Sequence, residues 1–195
     1  MSLISALANV HHQGQFGDFE DKKGDDLLKI SEKKNLLIVQ IVQFKNSSIP
    51  IESIDIDGLK LKDSSLNVAY NEKTRILWNG PKNGLLVSSK KDLIKSISLT
   101  CKETDFAVTD LSHSRAVIDI EGNYVIEVLK KGSPFNFGIL KKDNSTNSLY
   151  NNIAFTVDLI NDKPFKVRLF ALRSFGESLY HSITDASLEF GYQNK

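Results

Sequence analysis

The chain has 195 residues, long enough to bury a sizeable core as one large domain or two small ones. Hydrophobic residues make up 41% and charged residues 25%, and the formal net charge is +1, so no global field favours nucleic acid or an anionic membrane. The single cysteine, Cys101, excludes an intrachain disulfide and a multi-cysteine metal site, and no run approaches the roughly 20 apolar residues that cross a bilayer as a helix.

The opening MSLISALANVHHQGQFGDFED has a short apolar patch with no basic stretch before it and acidic residues after it. It does not read as a signal peptide, and the expected location is the cytoplasm. Residues 11–35 are poor in apolar side chains and rich in Gly, Asp and Lys, so residues 1–34 are expected as an arm, partly disordered or ordered by a partner. A short helix fits residues 2–9, and Phe16 and Phe19 are candidate anchors to another chain. The remainder, 35–195, reads as one α+β region with two intertwined subdomains, about 35–137 and 138–195.

LLIVQIVQF, residues 36–44, is too apolar for a strand with one wet face and predicts a well-buried strand. SIDIDGLKL, residues 53–61, alternates strictly, which predicts a strand with Ile54, Ile56, Leu59 and Leu61 inward and a bulge near Gly58. A further short strand is expected at Leu66–Tyr70. Three strand–strand–helix units then follow, at residues 74–97, 105–134 and 152–187.

In the first unit, Asn79-Gly80-Pro81 and Asn83-Gly84 supply turn residues, Ser88 or Ser89 caps the helix, and Leu93, Ile94 and Ile97 line its buried side. In the second, a four-residue polar turn joins two strands, and a helix follows with Val125, Ile126, Val128 and Leu129 on its apolar face. Lys130 and Lys131 suit its C-terminus and Gly132 its C′ position. In the third, Asn161-Asp162-Lys163 joins strands 153–160 and 164–172, and a helix over 175–187 is capped near Ser174, with Phe175, Leu179, Ile183 and Ala186 inward. Residues 138–151 are polar and turn-rich, the expected linker or exposed loop. Hairpins followed by helices on one face predict antiparallel sheets with an α layer.

Chemistry-bearing candidates are few. Ser112-His113-Ser114-Arg115 brings a nucleophile type beside a base type, but adjacent residues in a strand point to opposite faces and no orienting acid or G-x-S-x-G elbow accompanies them. A polar turn or docking surface is the stronger reading. His11, His12, His113 and His181 lack the spacing of a metal set, and no phosphate-binding glycine loop is present. Trp78 at a hairpin end and Arg173 between strand and helix fit either structural roles or an interface. The residues therefore favour binding or assembly over autonomous catalysis, with no catalytic, cofactor or metal residue assigned.

Three blocks taken in order carry a family resemblance. Trp78, Gly80 and Pro81 match W-x-G-P-x-x-x-L-L. Asp110, Ser112, His113 and Arg115, then Gly122, Leu129, Lys131, Gly132 and Pro134, match D-x-S-H-x-R and G-x6-L-x-K-G-x-P. Arg173, Ser174, Phe175, Ser178 and Leu179 match R-S-F-x-x-S-L. Together they resemble the gamma subunit of heterotetrameric sarcosine oxidase over residues 36 to 190, with Ser133 standing where many members carry cysteine. The resemblance implies a fold related to the folate-binding domains of the glycine-cleavage T-protein and TrmE. It implies a non-catalytic subunit packed on the alpha subunit, with beta and delta subunits in a complex that oxidatively demethylates sarcosine using FAD, FMN, NAD and tetrahydrofolate, none of them held by this chain. Trp78, His113, Arg115 and Arg173 are the expected interface residues. The competing expectation is a stand-alone folate binder of the same fold, which needs a carboxylate to hold the pterin; Asp110 and Glu121 are the candidates, with neither assigned.

Overall fold

The computed structural model describes residues 4–195. In chain order the described elements are β1 (Gly14–Phe16), β2 (Leu28–Glu32), β3 (Leu37–Gln43), β4 (Val68–Tyr70), β5 (Thr74–Gly80), β6 (Asn83–Ser88), α1 (Leu93–Thr100), β7 (Phe106–Asp110), β8 (Arg115–Glu121), α2 (Val125–Gly132), β9 (Asn144–Tyr150), β10 (Ile153–Asp162), β11 (Phe165–Leu172), α3 (Gly176–Ser187) and β12 (Tyr192–Asn194). They form a seven-stranded sheet, in the order β1-β12-β2-β8-β11-β10-β9, and a five-stranded sheet, in the order β4-β5-β6-β3-β7. The β12–β2 pairing is parallel, and β1–β12, β2–β8, β8–β11, β10–β11 and the pairings of the five-stranded sheet are antiparallel. The expected α+β class with antiparallel sheets and helices on one face is what the chain adopts.

The chain divides into two compact units. The first holds the described residues up to Lys34, with Ser114–Lys142 and Asn147–Lys195, and the second holds Asn35–His113 with Asp143–Thr146. This differs from a split at 137/138 behind a separate arm. Residues 28–32 are no arm: β2 pairs with β8 and β12, and Leu27, Leu28 and Ile30 are buried. Three apolar side chains within four residues, Leu27 to Ile30, outweigh the polar composition around them once a central strand offers them a partner. Phe16 stacks on Tyr192 of the same chain at 5.2 Å, so its anchor is internal. The helix expected over 2–9 lies partly outside the described residues, and within them residues 6–10 form turns, with Leu7 fully buried.

In the first unit β8 is a central strand and reads as one, with Ala116 to Ile120 all buried. Its even-numbered side chains face the helices. A Cβ on Gly176, at the start of α3, would stand 2.7 Å from the Ala116 Cβ, so backbone and strand pack directly there. Val125, Ile126, Val128, Leu129, Leu179 and Ile183 fill the helix side, as their spacing predicts. Phe175 does not: it precedes the helix and stays 49% exposed. Ser174 makes no cap hydrogen bond, since a 3-10 turn over Arg173–Phe175 leads into α3 with Phe175 at the N-cap.

Residues 138–151 are not an exposed loop, since half of the stretch is the strand β9 (Asn144–Tyr150). β9 is the edge strand beside β10, and Tyr150 is fully buried with its hydroxyl donating to the Val128 carbonyl at 2.9 Å. An edge strand pairs on one side only, which permits its polar sequence NSTNSLY. Gly132 is the last residue of α2 rather than a left-handed cap. Its requirement is space, because an added Cβ would lie 2.4 Å from the Tyr150 ring. Gly132→Ala is expected to lower stability by about 2 kcal/mol through overpacking, read as a lower Tm. An unchanged Tm would mean that the Tyr150 ring yields freely.

The second unit is built around β3, which is buried on both faces: Leu37, Val39 and Ile41 point to one side and Ile38 to the other. Leu93, Ile97 and Phe106 pack into the same cluster as the odd-numbered β3 residues. Ile54, Ile56 and Leu61 are in that cluster too, yet residues 53–61 form no named strand. Ile56 and Leu59 bridge across a tight turn, with Asp57 at φ 56° and Gly58 at φ 77°. Alternation thus survives as a burial pattern without a ladder. Ser88 and Ser89 do not cap α1, whose N-cap is Asp92, because the Ser88 hydroxyl accepts from the Lys90 amide and meets Thr74. At the β5–β6 turn the left-handed residue is Lys82, not Asn83. Cys101 is buried, and burial pushes its thiol up to about 11, outside reactive range at neutral pH.

Candidate functional site

The segment from Asp110 to Arg115 is a crossover, not a hairpin turn. β7 pairs with β3 in the five-stranded sheet, whereas β8 pairs with β2 and β11 in the seven-stranded sheet. The chain leaves the second unit at His113 and enters the first at Ser114. The exposed end of β7 and the fully buried run of β8 explain the parting: one suits an edge, the other a centre.

Within the second unit the Ser112 hydroxyl donates to Asp110 Oδ1 at 2.5 Å and accepts from the Ile38 amide at 3.0 Å. The Ser112 amide also donates to Asp110, at 2.8 Å, and the Leu111 amide to the Ile38 carbonyl, at 2.7 Å. These bonds stitch the crossover to β3. Burial works to raise the Asp110 carboxyl, but the Ser112 hydroxyl and amide, with the nearby His113, hold it below its ordinary value. Ser112 is thereby occupied as a structural hydroxyl, its proton shared with a carboxylate rather than with a histidine base. His113 is exposed. Trp78 is partly buried against the unit's core, and its indole N–H donates to Asp63 Oδ1 at 2.9 Å. The same carboxylate takes the Lys82 amide at 3.0 and 3.1 Å, so Trp78 braces the β5–β6 loop.

Arg115 and Arg173 stand together in the first unit. Arg115 opens β8 opposite Leu172 at the end of β11, and the Arg173 amide donates to the Ser114 carbonyl at 2.9 Å. The Arg115 guanidinium is half-buried and, among the described residues, reaches only Ser114, at 3.4 Å to both its carbonyl and its hydroxyl. Burial lowers its pKa from the usual value. The exposed Arg173 guanidinium donates to the Ile4 carbonyl. Among the described residues neither arginine has a carboxylate in ion-pair reach.

A second polar arrangement escaped the sequence. On the face of the seven-stranded sheet away from α2 and α3, Asp158, Arg168, Asp119 and Ser31 stand in register across β10, β11, β8 and β2. Asp119 and Asp158 are 3% and 1% exposed. Arg168 grips Asp119 through Nε at 2.7 Å and Nη2 at 2.9 Å, and Lys33 stands 3.8 Å from it. Period-two polar residues in apolar strands normally mark a wet face, which is why IDIE and TVDL gave no warning. Glu121, the other candidate pterin carboxylate, is held by Lys166 at 2.7 Å, and that bond, outweighing partial burial, keeps its pKa low. Among the described residues no three His, Cys, Asp or Glu side chains stand close enough to hold a metal ion.

No sequence-family model matches the chain, and no curated protein matches it in sequence. Solved structures do match its fold. A chain of heterotetrameric sarcosine oxidase from Corynebacterium sp. U-96 superposes with a TM-score of 0.81 at 20% identity, covering 96% of this chain and 95% of that one. The glycine cleavage system aminomethyltransferase T from Bartonella henselae superposes with a TM-score of 0.57 at 10% identity, covering 80% of this chain but 45% of that one. The fold is therefore shared with a sarcosine oxidase chain and, in part, with the T protein.

Proposed function

We propose that the chain is a structural subunit of a multi-chain sarcosine-oxidase-type complex, corresponding to the gamma subunit and packing against an alpha subunit beside beta and delta chains. The observation that carries this is the end-to-end fit, 96% of one chain on 95% of the other, to a chain of such an enzyme. The family resemblance through Asp110–Arg115 and Arg173–Leu179 points the same way. In this reading the complex oxidatively demethylates sarcosine with FAD, FMN, NAD and tetrahydrofolate bound by other chains, and this one contributes shape and surface in the cytoplasm. Ser112 and Asp110 are engaged with each other and with β3, which fits a scaffold and leaves no free nucleophile–base pair at that segment.

The competing reading is a free folate binder, which draws on the T-protein likeness. The first reading is tested by co-expression with the alpha, beta and delta subunits of a sarcosine oxidase, followed by size-exclusion chromatography. Co-elution in fixed ratio is expected, and a persistent monomer would refute it. Calorimetric titration with a reduced folate separates the second: the isolated chain is expected to give no binding heat.

A further inference from the structure

We propose that the corner of the first unit formed by Arg115, Leu172, Arg173 and Phe175 is a docking surface for an acidic segment of a partner protein chain, one of whose carboxylates pairs with Arg115. The inference rests on the subunit reading and narrows it to a surface and a chemistry. Leu172 and Arg115 are register partners, so their side chains share a face, and the Ser114 carbonyl that closes the ladder onto Arg173 fixes the second arginine beside them. Leu172 and Phe175 leave 45% and 49% of their area to solvent. Apolar and aromatic side chains beside arginine make the composition of an interface hot spot.

Arg115 supplies the direction. Its guanidinium is partly withdrawn from water yet among the described residues bonds only to Ser114, at 3.4 Å, which leaves most of its five N–H donors without a close acceptor there. A half-buried guanidinium without an anion is a cost that a planar carboxylate removes through two parallel hydrogen bonds. The acidic residues nearest in sequence are engaged elsewhere: Asp110 accepts from Ser112, Asp119 from Arg168, and Glu177, just after Arg173, from Asn9. Two arginines on an otherwise near-neutral chain are too few for a nucleic-acid backbone or a lipid surface, which need rows of cations. A short acidic protein segment carrying an apolar neighbour matches both halves of the corner.

The test uses the complex co-expressed with its oxidase subunits. Arg115→Lys keeps the charge and offers an amine. A carbodiimide activates a carboxylate within contact distance, the amine attacks it, an amide forms and the urea leaves. The expected product is an intermolecular cross-link mapped to position 115 and to an Asp or Glu of the partner. Arg115→Glu and Leu172→Asp are each expected to weaken assembly at least tenfold, with the Tm of the isolated chain unchanged. Should Arg115→Glu misfold, Leu172→Asp and Phe175→Ser alter side chains that are about half exposed and carry the same comparison. A wild-type complex that forms while these variants bind within twofold of it would overturn the docking corner and leave the subunit reading standing. A cross-link absent at position 115 would overturn the carboxylate pairing. A wild-type chain that never assembles would overturn both.

Discussion

Arg168→Met is expected to cost the first unit about 3–5 kcal/mol, a large share of the 5–15 kcal/mol that holds a typical domain together. Methionine fills similar volume, so the loss is electrostatic. Asp119, 3% exposed, would keep its charge without the bidentate partner that satisfies both its oxygens, and Asp158 across the neighbouring strand would lose its cationic neighbour. Lys33 at 3.8 Å is the remaining cation, but it is 42% exposed and too distant for a short hydrogen bond. Urea unfolding followed by circular dichroism measures the loss. The double variant Asp119→Leu with Arg168→Met removes the uncompensated charge and is expected to recover most of it, since a buried ion pair is worth little against well-packed apolar groups. A single variant within about 1 kcal/mol of wild type would show that the pair contributes only neutrality.

The same arginine illustrates what local sequence can and cannot carry. Strands β3, β5, β6, β8, β10 and β11 were legible because their burial follows runs and alternations that need no knowledge of the partner. The helices were legible from Val125–Leu129 and Leu179–Ile183. What failed were statements about which strand lies next to which. The four residues between β7 and β8 are as short as a hairpin turn, and only the pairing of β7 with β3 and of β8 with β11 shows that they cross between sheets. Residues 28–32 looked unfoldable because their energy comes from β8, almost ninety residues away. Gly132 looked like a cap because Tyr150 lies outside its local window. For the site, Trp78 and Ser112 were visible as residue types, but their hydrogen bonds to Asp63 and to Ile38 assign them to bracing. Arg115 and Arg173, 58 positions apart, were visible only singly; β8–β11 register brings them together.

Asp57→Ala is expected to destabilise the second unit by about 3 kcal/mol at neutral pH, combining lost hydrogen bonds with a left-handed backbone that alanine resists. Asp57 sits at φ 56° in the turn between Ile56 and Leu59. Its carboxylate takes Lys90 Nζ at 2.6 Å, the Thr74 hydroxyl at 2.6 Å and the Asn71 amide group at 3.1 Å. Thr74 and Ser88 are both buried, with hydroxyls 2.9 Å apart, so the carboxylate terminates a hydroxyl chain that has no water to turn to. The Lys90 and Thr74 bonds hold its pKa at about 2 against an ordinary 3.8, despite burial that pushes the other way. Because the folded value is the lower one, this stability is complete above the unfolded value and disappears as pH falls through 3.8 towards 2. With Lys90 36% exposed and screened by solvent, the pH-dependent part is about 1–2 kcal/mol. Trp78 is the chain's one tryptophan and lies in this unit, so its fluorescence during urea unfolding reports on it directly. The gap between wild type and Asp57→Ala is expected to shrink from pH 7 to pH 2. A gap that stays constant would assign the whole effect to the backbone turn and none to the carboxylate.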